Sequence, residues 1–123
     1  MTDKPAVLVT GSAQRIGAAF SRAFADAGWH VVIHYRSSGD EAAALADELP
    51  SAETVQADLA QDGAPAALPR ELAARLDDWR CLINSAAIFK PDDVTALDPE
   101  IFRQAMQVNA RGPAKLPQAY LIQ

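Results

Sequence analysis

Short apolar runs and helix-length segments alternate four times along this 123-residue chain, and no other feature narrows its fold as far. Residues 6–10, Ala-Val-Leu-Val-Thr, are an apolar run bounded by Pro5 and Gly11, the pattern of a buried strand. Ile16, Ala19, Phe20, Ala23, Phe24 and Ala27 then recur at helical spacing, and Gly28 follows where a C-terminal cap belongs. Residues 30–35 form a second strand rich in β-branched side chains, and a helix over 40–49 ends at Pro50. A third strand at 53–57, weaker in pattern, leads to a helix over 65–76, and a fourth strand occupies 81–84. After a loop through Pro91, Asp98 and Pro99 supply the N-cap and first position of a last helix. Strands separated by helices pair in parallel through right-handed crossovers, with helices on both faces of the sheet. The expectation is an α/β fold with a doubly wound parallel sheet.

Length fits one domain, 1–123, without internal repeat, low-complexity tract or linker. Half the residues are apolar, enough for a core, and the abundance of alanine favours helices packed closely on a sheet. A net charge of −5 argues against non-specific nucleic-acid binding, which needs a basic surface. A few isolated arginines in loops suit a small anionic ligand better. Cys81 is the only cysteine, so neither an internal disulfide nor a cysteine-built metal site can form, and no metal is expected. Its place in the run Cys81-Leu82-Ile83 predicts a buried structural thiol. Residues 1–5 are polar and lead into a strand without a signal-peptide core, and no apolar stretch is long enough to span a membrane. A cytoplasmic protein without membrane contact is expected. Residues 119–123 are still apolar-periodic with no cap or charged tail, the pattern of a chain cut after the fourth strand and the helix that follows.

Thr10-Gly11-Ser12-Ala13-Gln14-Arg15-Ile16-Gly17 lies between the first strand and the first helix. A helix N-terminus there offers unpaired N–H groups and the positive end of a dipole to a pyrophosphate. Gly11 permits a tight turn, and Gly17 lets the helix pack closely on the sheet. Placed after a strand and before a helix, the glycines are a dinucleotide-binding signal. The segment resembles the Thr-Gly-x-x-x-Gly-x-Gly loop of the short-chain dehydrogenase/reductase family, with Arg15 in place of the middle glycine. Such an arginine recurs in NADPH-dependent members similar to pteridine reductases, and a guanidinium at a helix start can fork onto a phosphate. The resemblance implies a Rossmann-type fold, of which this chain is the nucleotide-binding front half.

The end of the second strand points the same way. A NAD-selective site usually carries Asp or Glu there to bind the ribose hydroxyls. Here the sequence is His34-Tyr35-Arg36-Ser37-Ser38, with no carboxylate before Asp40. Arg15, Arg36 and Ser37 would meet a 2′-phosphate as donors, which favours NADPH over NADH, with His34 either assisting or merely packed. Ala57-Asp58-Leu59 resembles the family motif whose carboxylate accepts from the adenine amino group. Asn84-Ser85-Ala86-Ala87 resembles Asn-Asn-Ala-Gly, whose small residues let the backbone approach the cofactor, although Ser85 and Ala87 depart from it. Ser12, Ile16, Tyr35 and Leu59 fall within these segments and are grouped with the cofactor contacts. By resemblance Phe89 would stack on a flat pterin, and as an ordinary loop aromatic it would pack down instead.

Asn109, in Val108-Asn109-Ala110-Arg111-Gly112-Pro113, matches the family asparagine that joins a catalytic serine, tyrosine and lysine. Pro113 has no N–H, so a regular helix would leave the Asn109 carbonyl free to hold a water, or would simply kink. Pro117 would add a second break. The family's Tyr-x-x-x-Lys, which supplies the proton to the substrate oxygen, is not found within these 123 residues. The resemblance therefore implies an NADPH-dependent reductase of a carbonyl or pteridine-like small molecule, homo-oligomeric as a whole. This chain would hold its cofactor and be inactive alone, with its fourth strand on an open edge and its final helix exposed. The competing reading is a non-catalytic dinucleotide-binding or regulatory module, and a methyltransferase is disfavoured by Arg15, Arg36 and the asparagine motif.

Overall fold

Four strands, β1 (Ala6–Val9), β2 (His30–Tyr35), β3 (Ala52–Gln56) and β4 (Trp79–Ile83), form one parallel sheet in the order β3-β2-β1-β4. This is a computed structural model, and it describes residues 4–13, 15–61, 63–87 and 98–121. Helices α1 (Arg15–Asp26), α2 (Gly39–Glu48) and α3 (Ala64–Arg75) make the crossovers. Every boundary lies within two residues of the sequence expectation. The fourth strand starts two residues before its apolar run because Trp79 pairs with Ala6, whose N–H donates to Asp78 O at 2.7 Å.

The two-residue period of each strand divides the core into two layers. Val7, Val9, Val31 and Ile33 pack against Ala18 and Ala25 of α1 and Ala42 and Leu45 of α2. Leu8, Val32 and Val55 face the other way, onto Leu68 and Leu72 of α3. With both faces covered, the strands need to be apolar throughout, as β1 and most of β2 are.

The face that α1 buries differs from the one its large apolar residues suggest. Gly17, Ala18, Ser21 and Ala25 are buried, whereas Ile16 and Phe20 are 69% and 41% exposed, and Phe24 is half-buried at the margin of the first layer, edge-on to Trp29. The glycine loop sets this rotation. A Cβ on Gly17 would lie 2.7 Å from Ser12 Cα, so the helix must turn its hydrogen-only position toward the loop. A small-residue face then meets the sheet.

The last helix has three parts, α4 (Pro99–Met106), a π-turn (Gln107–Arg111) and α5 (Gly112–Leu121). Asp98 caps it as expected, its Oδ1 accepting from Glu100 N–H at 2.8 Å and Ile101 N–H at 3.4 Å. Pro113 does not leave a simple gap in a regular α-helical ladder. The turn widens instead, and Gly112 N–H reaches back five residues to Gln107 O. Asn109 lies inside this turn, exposed but not without a partner. Nor does Pro117 break the helix, since α5 continues past it to Leu121. It only removes the N–H that would bond the Pro113 carbonyl, and the side-chain amide of Asn84 donates to that carbonyl at 3.3 Å.

The expected exposure of the final helix holds for α4 alone, where Phe102 and Met106 are 56% and 50% exposed. Segment α5 docks against α3, with Leu116 fully buried in the second layer, a contribution of roughly 1.5–3 kcal/mol. Gly112 makes the approach possible: a Cβ there would sit 3.0 Å from Gln107 O and 3.8 Å from Pro65 Cγ. Among the described residues β4 is an edge strand, as expected. The buried thiol is corrected by the same fact, because Cys81 on an edge strand is only half-buried. Partial burial pushes its pKa up, against a smaller opposing effect of the Leu82 main chain, and the net effect favours the protonated thiol. Among the described residues no helix is long and apolar enough to cross a membrane, and no group of His, Cys, Asp and Glu could hold a metal ion.

Candidate functional site

Parallel strands point their C-terminal ends to one side, and the crossover direction reverses between β1 and β4, which opens a crevice there. A cleft of about 730 Å³ occupies this crevice. Its floor is the glycine loop. Gly11 has φ +60°, and a Cβ on it would lie 2.7 Å from Ala86 Cα, so both its turn and its neighbour require glycine. Thr10 fastens the two sides. Its buried hydroxyl oxygen accepts the N–H groups of Ser85 and Ala86, each at 3.0 Å, and donates to Ile83 O at 3.4 Å. Sequence reasoning gave Thr10 no role, although a hydroxyl directly before the turn glycine was the available signal.

Arg15 opens α1 and lines the cleft, and it makes no ion pair among the described residues. Its φ is +55°, the one left-handed non-glycine residue described. The family's middle glycine would adopt this conformation freely, whereas an arginine is disfavoured in it by roughly 1–2 kcal/mol. Arg36, at the exit of β2, stands 3.7 Å from Asp58 at the exit of β3. Both are partly exposed, so this ion pair is weak and exchangeable. Asp58 Oδ1 also accepts Ala60 N–H at 3.0 Å, a local turn that fixes the carboxylate. The Tyr35 ring lies 3.4 Å from where a Cβ on Gly39 would be, so it rests on the first turn of α2.

His34 is 3% exposed and bonded on both sides. Gly11 N–H donates to its Nδ1 at 2.9 Å, and its Nε2 donates to Ala57 O at 2.8 Å. Burial lowers its pKa most, while the Ala57 carbonyl and the Asp58 charge push it up, and the net direction is down. The imidazole is neutral at physiological pH.

Of the residues grouped as cofactor contacts, Gly11, Arg15, Ile16, His34, Tyr35, Arg36, Ser37, Asp58, Leu59, Ser85 and Ala86 line one cleft. Ser12, Gly17, Asn84 and Asn109 do not. Ser12 is buried beneath the loop, with its N–H and Oγ both bonded to His34 O at 3.0 and 3.3 Å. Gly17 is packed under the turn, and Asn84 faces the helix at Pro113. Phe89 lies outside the described residues. Ala13, Ser38, Ala57, Ala87 and Val108, which lie in the same sequence motifs but were not singled out as contacts, also line the cleft. Val108 is the notable one, because it brings the π-turn to the cleft wall beside Asn109.

A family model described as enoyl-(acyl carrier protein) reductase matches residues 11–121. The chain belongs to the short-chain dehydrogenase/reductase family. Among the members it resembles are L-fucose dehydrogenase of Mus musculus, 34% identical over 109 residues, and pteridine reductase 1 of Leishmania tarentolae, 35% identical over 116 residues. The alignments cover 86% and 76% of this chain but 39% and 40% of those short-chain dehydrogenase/reductases. The NADP complex of FolM alternative dihydrofolate reductase 1 from Brucella suis superimposes with a TM-score of 0.85 at 35% identity. That match covers 94% of this chain and 50% of the other. The chain thus spans half or less of the length of these short-chain dehydrogenase/reductases, and the α/β fold is theirs.

Proposed function

We propose that this chain is the cofactor-binding half of an NADPH-dependent reductase acting on a carbonyl or pteridine-like small molecule. One observation carries the reading: Arg15 and Arg36 line a single cleft in which the exit of β2 bears no carboxylate. A phosphate entering there gains two guanidinium partners and displaces only the loose Arg36–Asp58 contact. Gly11, held against Ala86, supplies the close backbone approach that a pyrophosphate needs. The NADP complexes of similar structures support the same cofactor, and the similarity to a pteridine reductase and to FolM supports a pteridine-like substrate.

When bound, the dinucleotide supplies the hydride. The residues of this chain hold and orient it: Arg15 and Arg36 on the phosphate side, Asp58 toward the adenine, and Ser85 and Ala86 against its other half. Asn109, beside the cleft wall, is the member of the proton-relay set within this chain, and the substrate-side role of Phe89 belongs to the same reading. Exposed Phe102 and Met106 on α4 support association between subunits in the complete protein. The alternative reading is a dinucleotide-binding module without hydride transfer. Calorimetric titration tests the first. NADPH should bind to the chain more tightly than NADH, and equal affinities would overturn the reading.

A further inference from the structure

The ring of His34 lies between two main-chain groups of opposite polarity, and that arrangement dictates where its proton sits. Gly11 N–H is a donor, so the Nδ1 it meets at 2.9 Å must present a lone pair. Ala57 O is an acceptor, so the Nε2 at 2.8 Å must carry the hydrogen. Both nitrogens are thereby engaged by protein, and neither is left to contact a phosphate. The main chain of His34 holds the same loop, its carbonyl accepting the N–H and Oγ of Ser12. We propose that His34 is the positioning residue of this site: neutral, it locks the glycine loop to the exit of β3, and protonating it releases the loop and the dinucleotide held there.

The release follows from hydrogen-bond polarity. An imidazolium carries hydrogens on both nitrogens, which would set N–H against N–H at Gly11 beside a ring that is only 3% exposed. Gly11 cannot shift alone. It rests against Ala86, and Thr10 ties that segment to β1, so a moved loop disturbs both walls of the cleft. Asp58, at the exit of β3, is the charge that acts on the ring, and Arg15 of α1, Arg36 after β2 and Tyr35 share the cleft lining with it. Ser85 and Ala86, on the β4 side, carry no charge. Asp58 favours the imidazolium but is outweighed by burial. The loop is therefore locked near neutral pH and opens on acidification below the ordinary histidine range.

The release step rests on the dinucleotide reading, whereas the lock itself can be tested without any ligand. Nitrogen NMR of the ¹⁵N-labelled 123-residue chain at pH 8 should show His34 with a bare Nδ1 and a protonated Nε2. The Gly11 amide should shift along with the His34 ring as the pH falls. A proton on Nδ1, or a Gly11 amide that ignores the titration, would overturn the lock. NADP⁺ is then titrated between pH 8 and pH 5 against wild type, His34→Asn and His34→Ala. Asparagine keeps an acceptor for Gly11 at every pH, and alanine keeps none. At pH 8 His34→Ala should bind about tenfold more weakly and His34→Asn should recover most of that loss. Below the His34 transition the wild type should lose about tenfold in affinity per pH unit beyond whatever His34→Asn loses. The titration of the 2′-phosphate is common to both and cancels in the ratio. Equal pH slopes for wild type and His34→Asn would overturn the release step. No NADP⁺ binding at pH 8 would overturn the proposed function and the release together, and the ring assignment would still decide the lock.

Discussion

The side-chain amide of Asn84 donates to the carbonyl of Pro113, an acceptor open to it because Pro117, four residues on, has no N–H. The exit of β4 is thus fastened to the helix just beyond the turn that holds Asn109. Asn84→Ala should destabilise the wild type by about 0.5–1.5 kcal/mol in urea. In a Pro117→Ala background the helix regains an N–H that competes for the carbonyl, so the same change should have a smaller effect. Additive effects in the double-mutant cycle would show that the two residues are uncoupled.

Arg15 combines a strained backbone with a cation facing the cleft. Arg15→Gly should therefore raise unfolding stability by about 1 kcal/mol or less, since relief of the left-handed conformation is partly offset by the greater freedom of an unfolded glycine. It should weaken NADPH binding at the same time. A variant that is both less stable and equally able to bind NADPH would contradict this on both counts.

The alternation of strands and helices was legible because burial on both faces makes the central strands β1 and β2 near-continuous apolar runs, while β3 at the edge carries a weaker pattern. The glycine loop was legible because Gly11 and Gly17 are fixed by contacts a Cβ would violate. What could not be read was rotation and partnership. Ile16 and Phe20 suggested the buried stripe of α1, yet the helix turns Gly17, Ala18, Ser21 and Ala25 inward because of the loop below it. His34 could not be separated from a phosphate ligand by sequence, since its two partners, Gly11 and Ala57, are 23 residues away on either side. Pro113 and Pro117 read as breaks because a local rule cannot foresee a π-turn or a side chain arriving from β4.

Acid should destabilise the fold through His34. Its native pKa lies below the ordinary value of 6.5, so the unfolded chain binds more protons as the pH falls. Its stability contribution is complete above about pH 6.5 and is lost as the pH drops through the native value. Urea unfolding at a series of pH values should show this loss in the wild type and a flatter profile in His34→Asn. Matching profiles would contradict it.

The 123-residue chain should oxidise no NADPH in the presence of carbonyl or pteridine substrates, because no tyrosine–lysine pair in it can protonate a substrate oxygen. Absorbance at the reduced-nicotinamide band is the readout. Turnover that scales with protein and survives repurification would contradict the expectation.

A preference for NADPH that rests on a 2′-phosphate held by Arg15 and Arg36 should be lost when the charge at Arg36 is reversed. The ratio of NADH to NADPH dissociation constants is measured for wild type and for Arg36→Asp. A charge-assisted contact is worth about 1.5–3 kcal/mol, so the wild-type ratio should favour NADPH by about tenfold to a hundredfold. In Arg36→Asp, where the new carboxylate repels the phosphate and accepts from ribose hydroxyls, the preference should reverse toward NADH. A ratio near one in the wild type, or one that the substitution leaves unchanged, would mean that the two arginines do not hold a 2′-phosphate.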